Sequence, residues 1–222
     1  MIIAIDGPAA SGKSTTAKLV ANKLKITYLD TGAMYRAVTL ELLRSNTNFN
    51  NTDKVATILD NMIIDMYDYK GRNIVKLNNE DVSQAIRSTN VTKNVSEVSA
   101  LFNVRKSMVN VQRKIANKTD CVVEGRDIGT IVFPNADYKF YMIADIEMRA
   151  NRRLKEIDQL GIIKSIDDVI SDLETRDFKD SNRVNSPLRR AEGSVEIDTS
   201  KLTIDEQVNK IINYININKY KK

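Results

Sequence analysis

Apolar positions follow two alternating rhythms along most of the chain. Met1-Ile2-Ile3-Ala4-Ile5-Asp6 is a short apolar run closed by a carboxylate, which predicts a buried strand. Ala17, Val20, Ala21 and Leu24 then recur at helical spacing, so a helix is expected over about 13–25. Thr27-Tyr28-Leu29 reads as a second strand before a helix over about 32–45. Further on, strands are expected at 121–124, 138–143 and 194–197, and helices at about 146–160, 166–180 and 203–218. This alternation predicts a parallel sheet covered by helices.

The stretch from about 50 to 118 breaks the rhythm. A short helix near 53–60 precedes two strand-like runs, 62–69 and 73–78, with Tyr69-Lys70-Gly71-Arg72 as the hairpin turn between them. Helical patterning resumes over about 91–117. The expected architecture is therefore α/β, with three layers around a parallel central sheet. Residues 1–36 and 119–222 would form the core, and 37–118 an α+β insert lobe.

Composition narrows the chemistry. The 222 residues are 42% apolar and 28% charged, ordinary for a globular protein, and no apolar run approaches the length needed to span a bilayer. With no basic leader before the first strand, a cytoplasmic address is expected. Cys121 is the single cysteine, so no intramolecular disulfide can form, and a buried strand thiol is expected. Histidine is absent, which excludes a Ser-His-Asp hydrolase and a His-ligated zinc site. Chemistry must run on carboxylates, lysine, arginine, hydroxyls and a metal carried by a ligand. The formal charge of +5 would suit nucleic acid, a membrane surface or small anions. The arginines cluster near expected loops and helix starts, as small-phosphate clamps do, and the terminal Lys219-Tyr220-Lys221-Lys222 reads as a solvated end.

Gly7-Pro8-Ala9-Ala10-Ser11-Gly12-Lys13-Ser14 has the form G-x-x-x-x-G-K-[ST] and lies between a strand and an amphipathic helix. The glycines allow a tight turn whose N–H groups face inward as an anion nest, and the helix N-terminus adds partial positive charge. Lys13, expected as an exposed loop lysine, can reach the β and γ phosphates of a nucleoside triphosphate, and Ser14 can ligate Mg²⁺. Thr15 completes the nucleotide-binding segment. The motif alone does not separate a kinase from a switch GTPase or a motor ATPase.

Three clusters favour a small-molecule kinase. Asp30-Thr31-Gly32-Ala33-Met34-Tyr35-Arg36 follows the second strand, where open α/β sheets seat ligands, and Arg36 offers a fork for phosphate. Its plainer reading is a helix N-cap at Asp30 or Thr31 with Arg36 solvated. Glu124-Gly125-Arg126-Asp127 ends the strongest strand; its plainer reading is a salt-bridged turn. Arg149, Arg152 and Arg153 fall on one helix face, and Arg176, Asp180 and Arg183 have similar spacing. Solvated charged faces account for such stripes equally well, but beside a phosphate-binding loop they suit the transferring phosphoryl group, brought there by a lid. An acceptor that attacks through an anionic phosphate oxygen needs no strong base, which fits a chain without histidine.

With these segments in view the sequence resembles the bacterial cytidylate kinases, among the nucleoside monophosphate kinases. The likeness runs from Ile3-Ala4-Ile5-Asp6-Gly7-Pro8 to the final helix. It includes Leu29–Arg36, Glu80-Asp81-Val82-Ser83, Glu124–Pro134 and Arg176-Asp177-Phe178-Lys179-Asp180-Ser181-Asn182-Arg183. The resemblance implies transfer of phosphate from ATP to CMP or dCMP, with Mg²⁺ carried on ATP. Arg36, Arg126 and Arg183 would hold the acceptor phosphate. Ser96, Arg105 and Asp127 would read cytosine, with Thr31, Tyr35 and Glu124 in the same site, and Arg176 and Asp180 would hold the sugar. Arg149, Arg152 and Arg153 would belong to a short helical lid over about 148–164 and act with Lys13 and Arg126 on the transferring group. Thr31 stands where serine also occurs, and Glu124 where aspartate is common. A monomer is expected, with no nucleic-acid or membrane partner. The alternatives are a kinase of another small acceptor, such as UMP or shikimate, and a nucleotide-binding switch protein.

Overall fold

Ile3, Ala4 and Ile5 have no solvent exposure. They lie in β1 (Ile2–Asp6), which pairs in parallel with β6 (Cys121–Gly125) on one edge and β7 (Tyr138–Ile143) on the other. A strand flanked by two parallel neighbours buries both faces, so its sequence is a continuous apolar run. The structure, a computed structural model, describes residues 1–69, 72–159 and 161–219. The expected turn at Lys70 and Gly71 and the tail beyond Lys219 lie outside the described residues.

The chain divides into two compact units: Met1–Tyr28 with Thr119–Lys222, and Leu29–Lys118. The first holds a five-stranded sheet in the order β2-β6-β1-β7-β8, where β2 is Thr27–Asp30 and β8 is Val195–Asp198. Its helices are α1 (Lys13–Leu24), α6 (Ile146–Asp158), α7 (Ile166–Asn182) and α8 (Ile204–Asn218). α1 and α8 bury Val20 and Ile211 with Ile5, Val122 and Phe140 of the sheet. α8 starts at a capping box in which Thr203 and Glu206 satisfy each other's backbone N–H. The register sets Asp6 beside Gly125 on β6 and Tyr141 on β7, so three strands end together at their carboxyl edge. Cys121, at the opposite end of β6 beside Ile2, is buried as expected, and burial pushes its thiol up to about 11, away from reactivity.

The second unit contains α2 (Thr31–Arg44), α3 (Thr52–Asn61), α4 (Thr89–Val98) and α5 (Phe102–Ala116), with an antiparallel sheet of β3 (Ile64–Tyr69), β4 (Arg72–Leu77) and β5 (Glu80–Asp81). It begins at Leu29, so it takes in Thr31–Arg36 as well as residues 37–118: α2 packs on α3, α4 and α5. The helical pattern over 91–117 proves to be two helices. Leu101 is extended (φ −65°, ψ 129°), and the Arg105 guanidinium donates to the Ser99 carbonyl at 3.2 Å, holding the break. β5 was not expected; it returns along β4 through Asn78 and Asn79 at φ 50° and 71°, the left-handed pair that a tight hairpin turn requires.

Candidate active site

Residues 7–12 carry the chain from β1 into α1. Gly7 adopts φ +148°, and a Cβ there would lie 2.1 Å from the Met142 carbonyl oxygen of β7, so no other residue fits this close approach. Gly12 is the N-cap of α1 and brings no side-chain acceptor, and the first turn has no acidic residue. The helix start therefore keeps its uncompensated positive end for an external anion. Ser14 and Thr15 are exposed on this turn.

Lys13 departs from expectation: its residue is only 5% exposed. Its Nζ donates to the Pro8 carbonyl at 2.5 Å and to Ser11 Oγ at 3.3 Å. Burial drives its pKa well below the usual lysine range, and repulsion from Arg126 and Arg176 adds to this against the attraction of Glu124 and Asp6. A buried cation beside two more cations is a site that an anion stabilises.

The arginines of α6 separate. Arg149 pairs with Asp177 of α7 and donates to the Ala9 carbonyl at 3.3 Å, while the Ala9 N–H donates to the same carboxylate at 3.1 Å. Both backbone groups of Ala9 are thus held by one ion pair. Arg152 donates to Thr199 at its carbonyl (2.6 Å) and hydroxyl (3.0 Å), and Thr199 in turn donates to the Ser11 carbonyl at 2.9 Å. Arg149 and Arg152 therefore reach the phosphate-binding loop directly or through one residue. Arg153 instead pairs with Glu156 at 2.8 Å near the surface.

The turn after β6 joins the C-terminal part of α7. Arg126 Nε donates to Asp180 Oδ2 at 2.9 Å. Burial acts to lower the Arg126 pKa, but the Asp180 carboxylate outweighs it and the value is raised. Burial acts to raise Asp180, but Arg126, Arg176 and Arg183 outweigh it and hold that carboxyl below its ordinary range. Arg183 lies 3.7 Å from Asp127 and 3.9 Å from Asp180, and its Nε donates to the Ser186 carbonyl at 2.7 Å. Glu124 is buried and accepts from the Tyr28 hydroxyl at 2.5 Å. The structure brings together Lys13, Glu124, Arg126, Asp127, Arg176, Asp180 and Arg183 within one unit.

The remaining expected residues lie in the second unit. Asp30 caps α2 by accepting from the Ala33 N–H at 2.9 Å, and Thr31 and Tyr35 are buried on that helix, with the partly buried Arg36 beside Gly32. Arg105 is 4% exposed, its guanidinium 5.2 Å from the Tyr35 ring centroid. Ser96 is linked to Arg105 only through Ser99, whose hydroxyl donates to the Ser96 carbonyl at 3.1 Å and whose carbonyl accepts from Arg105 at 3.2 Å. Three contributors had no assigned role from sequence: Asp6, Tyr28 and Asp177. Asp6 carried a signal, since a carboxylate closing an otherwise apolar strand is buried at a cost unless it has work there. Asp177 lay inside a recognised motif, but only the fold brings it to Ala9.

This parallel sheet with its loop and flanking helices is the fold of P-loop kinases. Shikimate kinase from Bacteroides thetaiotaomicron superposes with a TM-score of 0.50, covering 97% of this chain and 98% of that one at 11% identity. An uncharacterized protein from Eubacterium ventriosum gives 0.54, covering 97% and 98% at 15% identity. At such identities the likeness concerns the fold alone. The family follows from sequence: residues 3–217 match the cytidylate kinases, and the chain belongs to that family. It is 47% identical to the cytidylate kinase of Clostridioides difficile, over 98% of this chain and 99% of that protein. It is 45% identical to that of Lactobacillus johnsonii, over 97% and 94% respectively.

Proposed function

We infer that the protein is a cytidylate kinase, transferring the γ-phosphate of ATP to CMP or dCMP and releasing ADP with CDP or dCDP. Family membership over 3–217 carries this reading. The nucleophile is an oxygen of the acceptor phosphate, already anionic at neutral pH, so the protein positions reactants and stabilises charge without a strong base.

The nucleotide-binding role falls to residues 7–15. Lys13 would exchange its Pro8 and Ser11 partners for phosphate oxygens, relieving the burial of a poorly solvated ammonium. Mg²⁺ fits the oxygen donor present: Ser14 offers an exposed hydroxyl on the first turn of α1, and phosphate oxygens would supply further ligands. Among the described residues no cluster of three acidic, cysteine or histidine side chains is placed to hold a metal. When bound, the ion would neutralise charge on the phosphates. Arg149 and Arg152, already against the loop, support a role over the transferring group; Arg153 would join them by leaving Glu156.

For the acceptor, Arg36, Arg126 and Arg183 are assigned to the phosphate, Arg176 and Asp180 to the sugar, and Ser96, Arg105 and Asp127 to cytosine, with Thr31, Tyr35 and Glu124 elsewhere in the acceptor site. The segment over about 148–164, which takes in most of α6, would serve as the lid. Among the described residues no helix is long and apolar enough to cross a membrane. The reading places the enzyme in the cytoplasm with its nucleotides, as a monomer that binds neither nucleic acid nor membranes. A coupled ADP-release assay with Mg-ATP against CMP, dCMP, UMP, AMP and shikimate tests it. CMP and dCMP should be turned over fastest; equal or faster turnover of UMP or shikimate overturns it.

A further inference from the structure

Asp6 is 2% exposed and ends β1, one residue before the phosphate-binding loop. Its carboxylate accepts two successive N–H bonds, from Ile128 at 2.8 Å and Gly129 at 2.7 Å. Those donors open a π-helical turn (Ile128–Val132) that directly follows Arg126 and Asp127. A Cβ on Gly129 would sit 3.4 Å from the carboxylate and 3.1 Å from Ala191, so the turn is packed closely on this anchor. Each carboxylate oxygen takes one N–H. A carboxamide has a single acceptor oxygen, and its NH₂ would face the second N–H donor to donor.

We propose that Asp6 is a positioning residue for the acceptor: its ionised carboxylate fixes the turn carrying Arg126 and Asp127, so that acceptor use depends on it and ATP binding does not. The idea rests on the reading of the chain as a CMP kinase. The groups facing Asp6 are Lys13 from α1, Asp127 beside the turn and Tyr141 from β7, with the stem of Lys139 of β7 beside Gly129. Burial, reinforced by Asp127 against the two N–H bonds and Lys13, pushes its pKa up to about 6. Function then needs the ionised form, while below this pH a neutral Asp6 accepts poorly from two donors.

The test compares wild type with Asp6→Asn in steady-state assays from pH 5 to 8. At pH 8 the variant should show kcat/KM for CMP lower by about tenfold or more, the scale of one lost charge-assisted hydrogen bond, with KM for ATP nearly unchanged. The wild-type-to-variant ratio should shrink toward one by pH 5. The ratio is read because the CMP phosphate also titrates near pH 6 and cancels from it. A ratio constant with pH, or a loss confined to KM for ATP, overturns the proposal. Should the variant not fold, wild-type NMR decides: the Ile128 and Gly129 amide resonances should shift together with the Asp6 carboxyl carbon, and independent titration overturns it. Failure of the wild type to phosphorylate CMP would instead sink the functional reading, whereas the amide titration does not depend on substrate.

Discussion

The Tyr28 hydroxyl donates to Glu124 Oε1 at 2.5 Å, and the same carboxylate is the strongest attraction opposing the depressed pKa of Lys13. Glu124 is thereby oriented within the phosphate-binding unit, whereas Asp127 faces Arg183. The two carboxylates should separate by substitution. Glu124→Gln and Tyr28→Phe should lower kcat while leaving the CMP-to-UMP ratio of kcat/KM unchanged. Asp127→Asn should cost activity with CMP and reduce that ratio by at least about tenfold, ~1.4 kcal/mol, since its amide N–H can serve the uracil carbonyl. Steady-state kinetics with both acceptors check this; a ratio that narrows for Glu124→Gln alone would exchange the two roles.

Lys13→Ala should lower kcat by about a hundredfold or more, because one preorganised charge contact contributes ~3 kcal/mol in the transition state. Stability should not fall with it. The ammonium is buried beside Arg126 and Arg176, so Lys13→Met, which keeps the stem, should match or exceed the wild-type melting temperature. Calorimetry of the ligand-free proteins checks this, and a clear drop for the methionine variant would mean that the lysine holds the loop through Pro8.

Periodicity conveyed the parallel sheet, because β1 and β6 are short apolar runs, β7 alternates around one buried face, and the helices keep a regular stripe. The phosphate-binding loop was equally legible, since its glycines and lysine act at fixed chain spacing. The break at Ser99–Leu101 was not: no proline or glycine marks it, and it is held by Arg105 reaching back to Ser99. Nor was the burial of Lys13, which depends on β6 and α7 arriving from more than a hundred residues away. The Asp6 anchor and the Asp177 contact with Ala9 join segments separated by 122 and 168 positions, beyond any local pattern.

Arg183 has a side chain 6% exposed between Asp127 and Asp180. Arg183→Met keeps most of the stem and removes the fork. KM for CMP should rise and kcat fall, with KM for ATP little changed. Stability should drop by about 3 kcal/mol, because two buried carboxylates lose a countercharge. Kinetics with each substrate varied in turn, beside urea denaturation, check both parts; an effect on ATP alone would move Arg183 to the donor side.

Asp6 and Asp180 should give stability opposite pH dependences. Asp180 is depressed in the fold, so its contribution is present above its unfolded pKa and is lost as pH falls through the folded one. Asp6 is raised from 3.8 to about 6, so the folded state binds more protons in that window and stability falls as pH rises through it. A shift of about two units corresponds to ~3 kcal/mol. Between pH 4 and pH 7 the stability gap should move by about that amount in favour of Asp6→Asn, read from urea midpoints of both proteins. An unchanged gap would show that Asp6 titrates as an ordinary carboxyl.

Cytidylate kinase activity turns on the choice of base. Cytosine offers an amino donor and a ring-nitrogen acceptor, and uracil reverses both, so polar groups built for one are opposed by the other. The decisive measurement is kcat/KM for CMP and for UMP, with saturating Mg-ATP, on the wild-type enzyme. A cytidylate kinase should prefer CMP by a factor approaching about 10⁴, on the order reached when buried polar groups are left unpaired. A ratio near one, or a preference for UMP, would contradict it.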